Sequence, residues 1–185
     1  MSNKAVLIPI KDFESAKVRL STVLDSNARA DLAKELATLV VSACLETPVF
    51  IACEDDAVES WARDLGADIL RNPSEGLNEA VDFGFRSLSE RGFESVLITH
   101  GDLVYPSGLL SLFEMEEIVI VPDSELDGTN VLVLPTNIDF EFSYGPGSYT
   151  RHLKSATMLE AEVLVVADSP FSFDIDDPDD LHHVL

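Results

Sequence analysis

Lys11, Lys17 and Arg19 stand within nine residues of one another in a chain with only 12 Lys and Arg against 34 Asp and Glu. Cations this scarce, gathered directly behind the apolar run Ala5–Ile10, make a loop suited to an anion. A polyphosphate is the foremost candidate, because strand-to-loop junctions of α/β proteins bind such ligands. The plainer alternative is a solvated loop whose cations pair with Asp12 and Glu14. The loop is not of the Walker A type, since it has no Gly-Lys-Ser/Thr, and no Gly-x-Gly-x-x-Gly follows a strand. A second set of residues is acidic. Asp102, in Thr99-His100-Gly101-Asp102-Leu103, ends an apolar run, and Asp174 and Asp176 flank Ile175. In an extended segment alternate residues face the same way, so Asp174 and Asp176 can meet one cation together. Magnesium takes hard oxygen ligands and keeps several waters, so a few carboxylates suffice. Taken singly, Asp102 reads more readily as a turn or cap residue than as a metal ligand. Asp177, Asp179 and Asp180 read as helix-start acids favoured by the helix dipole.

The polar loops carry the remaining candidates. Pro122-Asp123 and Asp127-Gly128-Thr129-Asn130 lie between two apolar runs, and Asp127-Gly128 is an ordinary turn signal. Tyr144-Gly145-Pro146-Gly147-Ser148 precedes a helix that Ser148 would cap, and its glycines would let backbone amides approach an anion. Gly76-Leu77-Asn78-Glu79-Ala80 opens another helix, where Asn78 either reads a base edge or simply sits in the first turn. The four histidines show no zinc spacing, and His182 and His183 read as surface residues.

The elements that must position these residues alternate. Strands are predicted at Ala5–Ile10, Val49–Ala52, Asp68–Leu70, Ser95–Thr99, Ile118–Val121, Asn130–Leu134 and Ala161–Val166. Helices are predicted at Asn27–Leu45 with Ser26 as N-cap, Asp56–Leu65, Leu77–Arg91 and Ser148–Leu159. Helical sequence also follows Pro106, and a short last helix opens at Asp177-Pro178. Such alternation predicts an α/β fold: a mostly parallel sheet, covered on both faces, with ligands at the carboxyl ends of the strands. The length, 185 residues, suits one domain over residues 1–185. A net charge of −22 opposes nucleic-acid and membrane partners, both of which need a cationic surface. That acidity fits either a saline cytoplasm or an acidic protein of an ordinary cell. Cys44 and Cys53 have no metal or redox spacing and read as buried thiols of a reducing cytosol.

Taken in order, these segments resemble the phospholactate or phosphoenolpyruvate guanylyltransferase family of deazaflavin-coenzyme biosynthesis. The resemblance spans nearly the whole chain. It runs through Ile8-Pro9-Ile10-Lys11 with Lys17–Leu20, then Gly76–Ala80, Gly101-Asp102 and Asp127–Asn130. It continues through Tyr144–Ser148 with His152, and Asp174-Ile175-Asp176 with Pro178–Leu181. It implies a single-domain nucleotidyltransferase fold, glycosyltransferase-A-like, with a Rossmann-like mixed sheet and helices on both faces. It further implies a cytoplasmic enzyme, by family expectation a homodimer. The enzyme would join GTP to a small phosphorylated three-carbon acid and release pyrophosphate. 2-Phospho-L-lactate, phosphoenolpyruvate and 3-phosphoglycerate are all candidate acceptors.

Carried over by position, Asp102, Asp174 and Asp176 would hold Mg2+, and Lys11, Lys17 and Arg19 would face the GTP phosphates. Gly76, Leu77 and Asn78 would lie near the base or ribose, and Thr129, Gly145 and Ser148 would bind the phospho-acid. Lys11, Lys17, Arg19 and Asp102 would then carry the catalysis. No protein nucleophile is needed, because positioning and charge neutralisation suffice for nucleotidyl transfer. The family has Pro directly after Gly-Asp-Leu, whereas Val104 and Tyr105 precede Pro106 here, so a different turn is expected after Asp102. Two rival readings are another sugar-phosphate or molybdopterin nucleotidyltransferase and a non-catalytic GTP-binding paralogue. The absence of a Leu-x-Gly-Gly loop lowers the first, and retention of all three carboxylates opposes the second.

Overall fold

The seven apolar runs do form strands, and they share one sheet. In the computed structural model, which describes residues 3–71, 76–115 and 118–183, these are β1 (Lys4–Pro9), β2 (Val49–Cys53), β3 (Asp68–Arg71), β4 (Ser95–Thr99), β5 (Ile118–Pro122), β6 (Thr129–Pro135) and β7 (Val163–Val165). Their order is β3-β2-β1-β4-β6-β5-β7. Every pairing is parallel except those of β6, which runs antiparallel to β4 and β5. The reversal has a local cause. The loop between β5 and β6 is short, and the Asp123 carboxylate accepts the backbone N–H groups of Asp127 and Gly128 at 2.9 and 2.6 Å, folding the chain straight back. As a result β6 begins, with Thr129 and Asn130, at the edge where β1 and β4 end.

Side chains alternate across the strands and build a core on each face. Val6 and Ile8 of β1 pack with α1 (Ser26–Cys44) and α2 (Asp56–Asp64), whereas Ala5 and Leu7 pack with α3 (Leu77–Glu90) and α4 (Ser148–Met158). Gly84 lets α3 lie close on β1, because a Cβ there would sit 2.7 Å from the Leu7 side chain. Both thiols are buried and free, and burial pushes the Cys44 thiol up to about 12. No helix among the described residues is long and apolar enough to cross a membrane.

Three local expectations need correction. Helix α1 is capped by Asp25, whose carboxylate accepts the Ala28 N–H at 2.9 Å, and Ser26 is its first residue. Helix α4 has the left-handed Gly147 at its N-cap with no side-chain cap bond, so Ser148 does not cap it. The sequence after Pro106 forms a 3-10 turn, Leu109–Glu114, rather than an α-helix.

A third, smaller apolar cluster matters most for chemistry. It joins Leu20, Leu36, Val104 and Ile175. Leu20 follows Lys17 and Arg19, Val104 follows Asp102, and Ile175 separates Asp174 from Asp176. Each charged group at the sheet edge therefore has an apolar neighbour in sequence that anchors its backbone, and burying a side chain of this kind is worth roughly 1.5–3 kcal/mol.

Candidate active site

The order β3-β2-β1-β4 places the switch point of the sheet between β1 and β4, where ligands of open α/β sheets bind. The cationic loop leaves β1 and Asp102 leaves β4, so the two meet there. Asp174 is drawn in by the backbone. Leu103 and Asp174 form an antiparallel bridge, and the Val104 N–H donates to the Phe173 carbonyl at 2.9 Å. A proline at position 104 has no N–H and could not make that bond. The Val104 N–H thus supplies a tie between the two carboxylate-bearing segments.

Asp102, Asp174 and Asp176 each present an oxygen within 4.8 Å of the others. Three hard oxygen donors this close match the ligand chemistry of magnesium. The buried Oδ1 of Asp102 has no hydrogen-bond partner among the described residues, which further suits a cation ligand. Asn130, buried at the start of β6, donates to Asp174 Oδ1 and to the Phe171 carbonyl, each at 3.2 Å, and so orients the second carboxylate. The Asp180 carboxylate accepts the N–H groups of Asp176 and Asp177 and shapes the turn that presents Asp176.

Lys17 reaches into this group. Its side chain is only 6% exposed, and its ammonium bonds Asp102 Oδ2 and lies 3.4 Å from Asp176 Oδ1. Its backbone is left-handed (φ 55°, ψ 39°), a conformation that costs a non-glycine residue roughly 1–2 kcal/mol. The 3-10 turn Val18–Thr22 follows immediately, with the Leu20 N–H donating to the Lys17 carbonyl at 3.0 Å. Arg19 lies at the rim, 64% exposed, 3.5 Å from Asp176 and 3.9 Å from Asp177. Lys17 and Arg19 therefore pair with the site carboxylates and not with Asp12, which bonds Ser15 instead.

Electrostatics follow from this crowding. Burial opposes the charge on Lys17, but the charge and hydrogen bond of Asp102, helped by Asp176 and Asp174, outweigh it and raise the pKa. Burial would likewise raise Asp102, yet the Lys17 ammonium, with lesser help from His100, holds it below the usual carboxylate range. Asp174 lacks such a direct partner. Burial, with the charges of Asp102 and Asp176, pushes it up to about 7.

A cleft of about 370 Å³ joins Asp102, Asp174 and Asp176 to the polar residues Thr129, Gly145 and Ser148, and Asp123, Glu125 and Asp127 line it as well. Thr129 and Ser148 are both buried, and their hydroxyl oxygens are 3.4 Å apart. The Tyr144–Ser148 loop is tied at several points. Asp127 Oδ2 accepts the Gly147 N–H at 3.0 Å, and Arg151 donates to the carbonyls of Ser143 and Pro146. Asn78 Oδ1 accepts the Tyr144 N–H at 2.6 Å. Of the sequence-predicted site residues, Lys11, Lys17, Gly76, Leu77 and Asn78 do not line this cleft, although Lys17 touches it through its bonds to Asp102 and Asp176. Lys11 is exposed at the end of the loop and makes no ion pair among the described residues. Asn78 lines a separate hollow with Glu79, Asp82, Arg86 and Asp139. The sequence reading gave no role to Asn130 or His152, although a buried Asn at the start of an apolar strand signals a hydrogen-bonding duty.

Comparison with known proteins shows the family and the fold. A family model described as "Guanylyl transferase CofC like" matches residues 4–185. A phosphoenolpyruvate guanylyltransferase of Rubrobacter xylanophilus is 36% identical over 184 residues, covering 95% of this chain and 90% of the relative. A 2-phospho-L-lactate guanylyltransferase of Methanocaldococcus vulcanius is 25% identical over 186 residues, covering 97% and 83%. Among solved structures, a protein assigned as a nucleotide-diphospho-sugar transferase of Desulfovibrio desulfuricans superposes with a TM-score of 0.83 at 17% identity, over 100% of this chain and 87% of its own. The fold is that of the nucleotidyltransferases and glycosyltransferase-A-like enzymes.

Proposed function

This chain belongs to the CofC-like guanylyl transferases, and from that premise we propose that it transfers the guanylyl group of GTP to the phosphate of a small phosphorylated three-carbon acid, as a cytoplasmic step of deazaflavin-coenzyme biosynthesis. The acceptor is a phosphoenolpyruvate-like or 2-phospholactate-like compound, as the names of the relatives suggest. A phosphate oxygen of the acceptor forms a bond to the α-phosphorus of GTP, the bond from that phosphorus to the α–β bridging oxygen breaks, and pyrophosphate leaves. The acceptor phosphate is ionised at neutral pH, so the protein need not deprotonate it.

One observation carries this reading. Asp102, Asp174 and Asp176 converge at the switch point of the sheet with Lys17 bonded behind them, and the three carboxylates share one cleft with Thr129 and Ser148. Magnesium bound by the three carboxylates would neutralise charge on the transferring phosphates. Lys17 supplies a buried positive charge beside them, and Arg19 supplies a second at the rim, where the leaving diphosphate would emerge. Thr129, Ser148 and the Gly145 backbone would orient the acceptor. Preorganised charges in a partly desolvated cleft stabilise a transition state more than the same groups in water. The test is direct. The protein, magnesium, GTP and each of the three candidate acceptors are mixed and pyrophosphate is followed. Release that requires GTP, metal and one acceptor is expected, and silence with every acceptor would overturn the reading.

A further inference from the structure

His152 is fully buried in α4, and the guanylyl-transfer chemistry above does not call on it. Its Nε2 accepts the backbone N–H of Ser143 at 2.9 Å. A backbone amide can only donate, so Nε2 carries no proton. The neutral ring must then hold its proton on Nδ1, which lies 3.0 Å from Thr129 Oγ1 and donates to it. Burial, with the charges of Arg151 and His100, lowers the imidazole pKa to about 4, so the neutral form is the one present at pH 7.

A proton count follows. His152 Nδ1, Thr129 and Ser148 bring one proton each, and the acceptors inside the group are the two hydroxyl oxygens. The imidazole proton goes to Thr129 Oγ1. One hydroxyl proton can bridge Thr129 and Ser148. The other has no acceptor among the described residues, and both hydroxyls border the cleft. The group therefore has one donor to spare, which is what an oxyanion needs. The opposite tautomer would set two donors head to head at Ser143 and leave Thr129 free to spend its proton inward on the ring.

We propose that His152 is a positioning residue of the acceptor site: through its Nδ1–H it commits the Thr129–Ser148 hydroxyls to donate to an anionic group of the acceptor, and through Nε2 it holds the Ser143–Ser148 loop against them. This inference rests on the acceptor assignment made above. His152 also stacks edge-on against Tyr144 with ring centroids 4.8 Å apart, so the same side chain sets both walls of the subsite.

Two experiments test it. The first needs no substitution: 15N NMR of histidine-labelled protein at pH 7 reports the tautomer. A folded-state Nδ1–H signal for His152 is expected, and an Nε2–H tautomer would overturn the proposal. The second is a double-mutant cycle on Thr129→Val and His152→Phe, with kcat and KM measured for phosphoenolpyruvate and for GTP. His152→Phe keeps the ring volume and should raise the KM for phosphoenolpyruvate about tenfold, the effect of a lost hydrogen bond to a charged group. The KM for GTP should change little. In the Thr129→Val background the same change should add little, since its route is already cut. His152→Asn, whose amide nitrogen can overlay Nδ1, should recover part of the loss and guards against a Phe variant that does not fold. A His152→Phe effect of equal size in both backgrounds would reduce the residue to packing and overturn the proposal. If Thr129→Val itself leaves the phosphoenolpyruvate KM unchanged, the acceptor assignment fails first, and that outcome is distinct from the others.

Discussion

Acidification gives the sharpest physical test of the buried imidazole. His152 is held at about 4 in the folded chain, against the ordinary value of 6.5. Between those values the unfolded chain binds a proton that the native chain refuses. Stability must therefore be fully present above pH 6.5, fall as the pH drops through that window, and level off near pH 4. The full difference of roughly 2.5 pKa units corresponds to about 3 kcal/mol. By pH 5 about 2 kcal/mol of it should be gone, a large share of the 5–15 kcal/mol typical of a domain. The chain's 34 Asp and Glu also titrate in this range, so the raw pH profile of one protein is uninformative. The difference between two proteins is informative. Urea unfolding of the parent and of His152→Phe should be run at pH 7.5, 6 and 5. The free-energy gap between them should shrink by about 2 kcal/mol from the first to the last. Parallel profiles would show that the ring is as protonatable in the folded chain as in the unfolded one, and the neutral-donor argument would collapse with them.

Other perturbations separate the remaining roles. Asp176→Ala should abolish guanylyl transfer with little change in melting temperature, because its side chain is half exposed; retained turnover at saturating magnesium would remove it from the metal site. Lys17→Met should lower stability, by less than the roughly 3–5 kcal/mol of a fully buried pair, because Asp102 loses its partner while its side chain keeps 20% of its surface exposed. Arg19→Ala should leave stability within about 0.5 kcal/mol, since it lies at the exposed rim, and raise the KM for GTP; a comparison of urea midpoints and steady-state kinetics on the two variants tests the contrast. Asn78→Ala should raise the acceptor KM more than the GTP KM, because its amide holds Tyr144; the reverse pattern would restore it to the nucleotide side.

What the sequence made legible, and what it did not, divides along physical lines. Strands such as Lys4–Pro9, Val49–Cys53 and Thr129–Pro135 were readable because strands buried on both faces, whatever their direction, are unbroken apolar runs bounded by turns. Asp102, Asp174 and Asp176 were readable as a set because carboxylates at strand ends have few other reasons to recur. The conformation of Lys17 was not, since no local signal marks a lysine that turns left-handed; only the burial of Leu20 and the pull of Asp102 hold it there. Asn78 was ambiguous for a related reason. An amide near a helix start looks the same in sequence whether its partner is a base edge or the Tyr144 backbone, 66 residues away. The cap of α1 slipped by one residue because Asp25 and Ser26 are both good cap formers.

The least legible part is also the most consequential, because a chain of net charge −22 must hold two anionic substrates. Its cleft solves this with contrast rather than with positive charge. One wall buries Asp174 beside Asp102 and Asp176, so that burial first and the neighbouring charges second push it up to about 7, and among these carboxylates lies the Lys17 ammonium. Such a wall favours an anion only together with a compensating cation. On the other side Asp123, Glu125 and Asp127 also line the cleft, but among the described residues none of them bonds the hydroxyls of Thr129 and Ser148. The donors of that wall are Thr129, Ser148 and the ring behind them, neutral groups that accept an oxyanion without demanding a counterion. A metal-complexed triphosphate suits the first wall, and a small phosphorylated acid suits the second. The fold makes the division by reversing one strand, β6. Its first two residues face opposite sides of the pleat, so Asn130 turns to Asp174 on the carboxylate wall while Thr129 turns to His152 on the hydroxyl one.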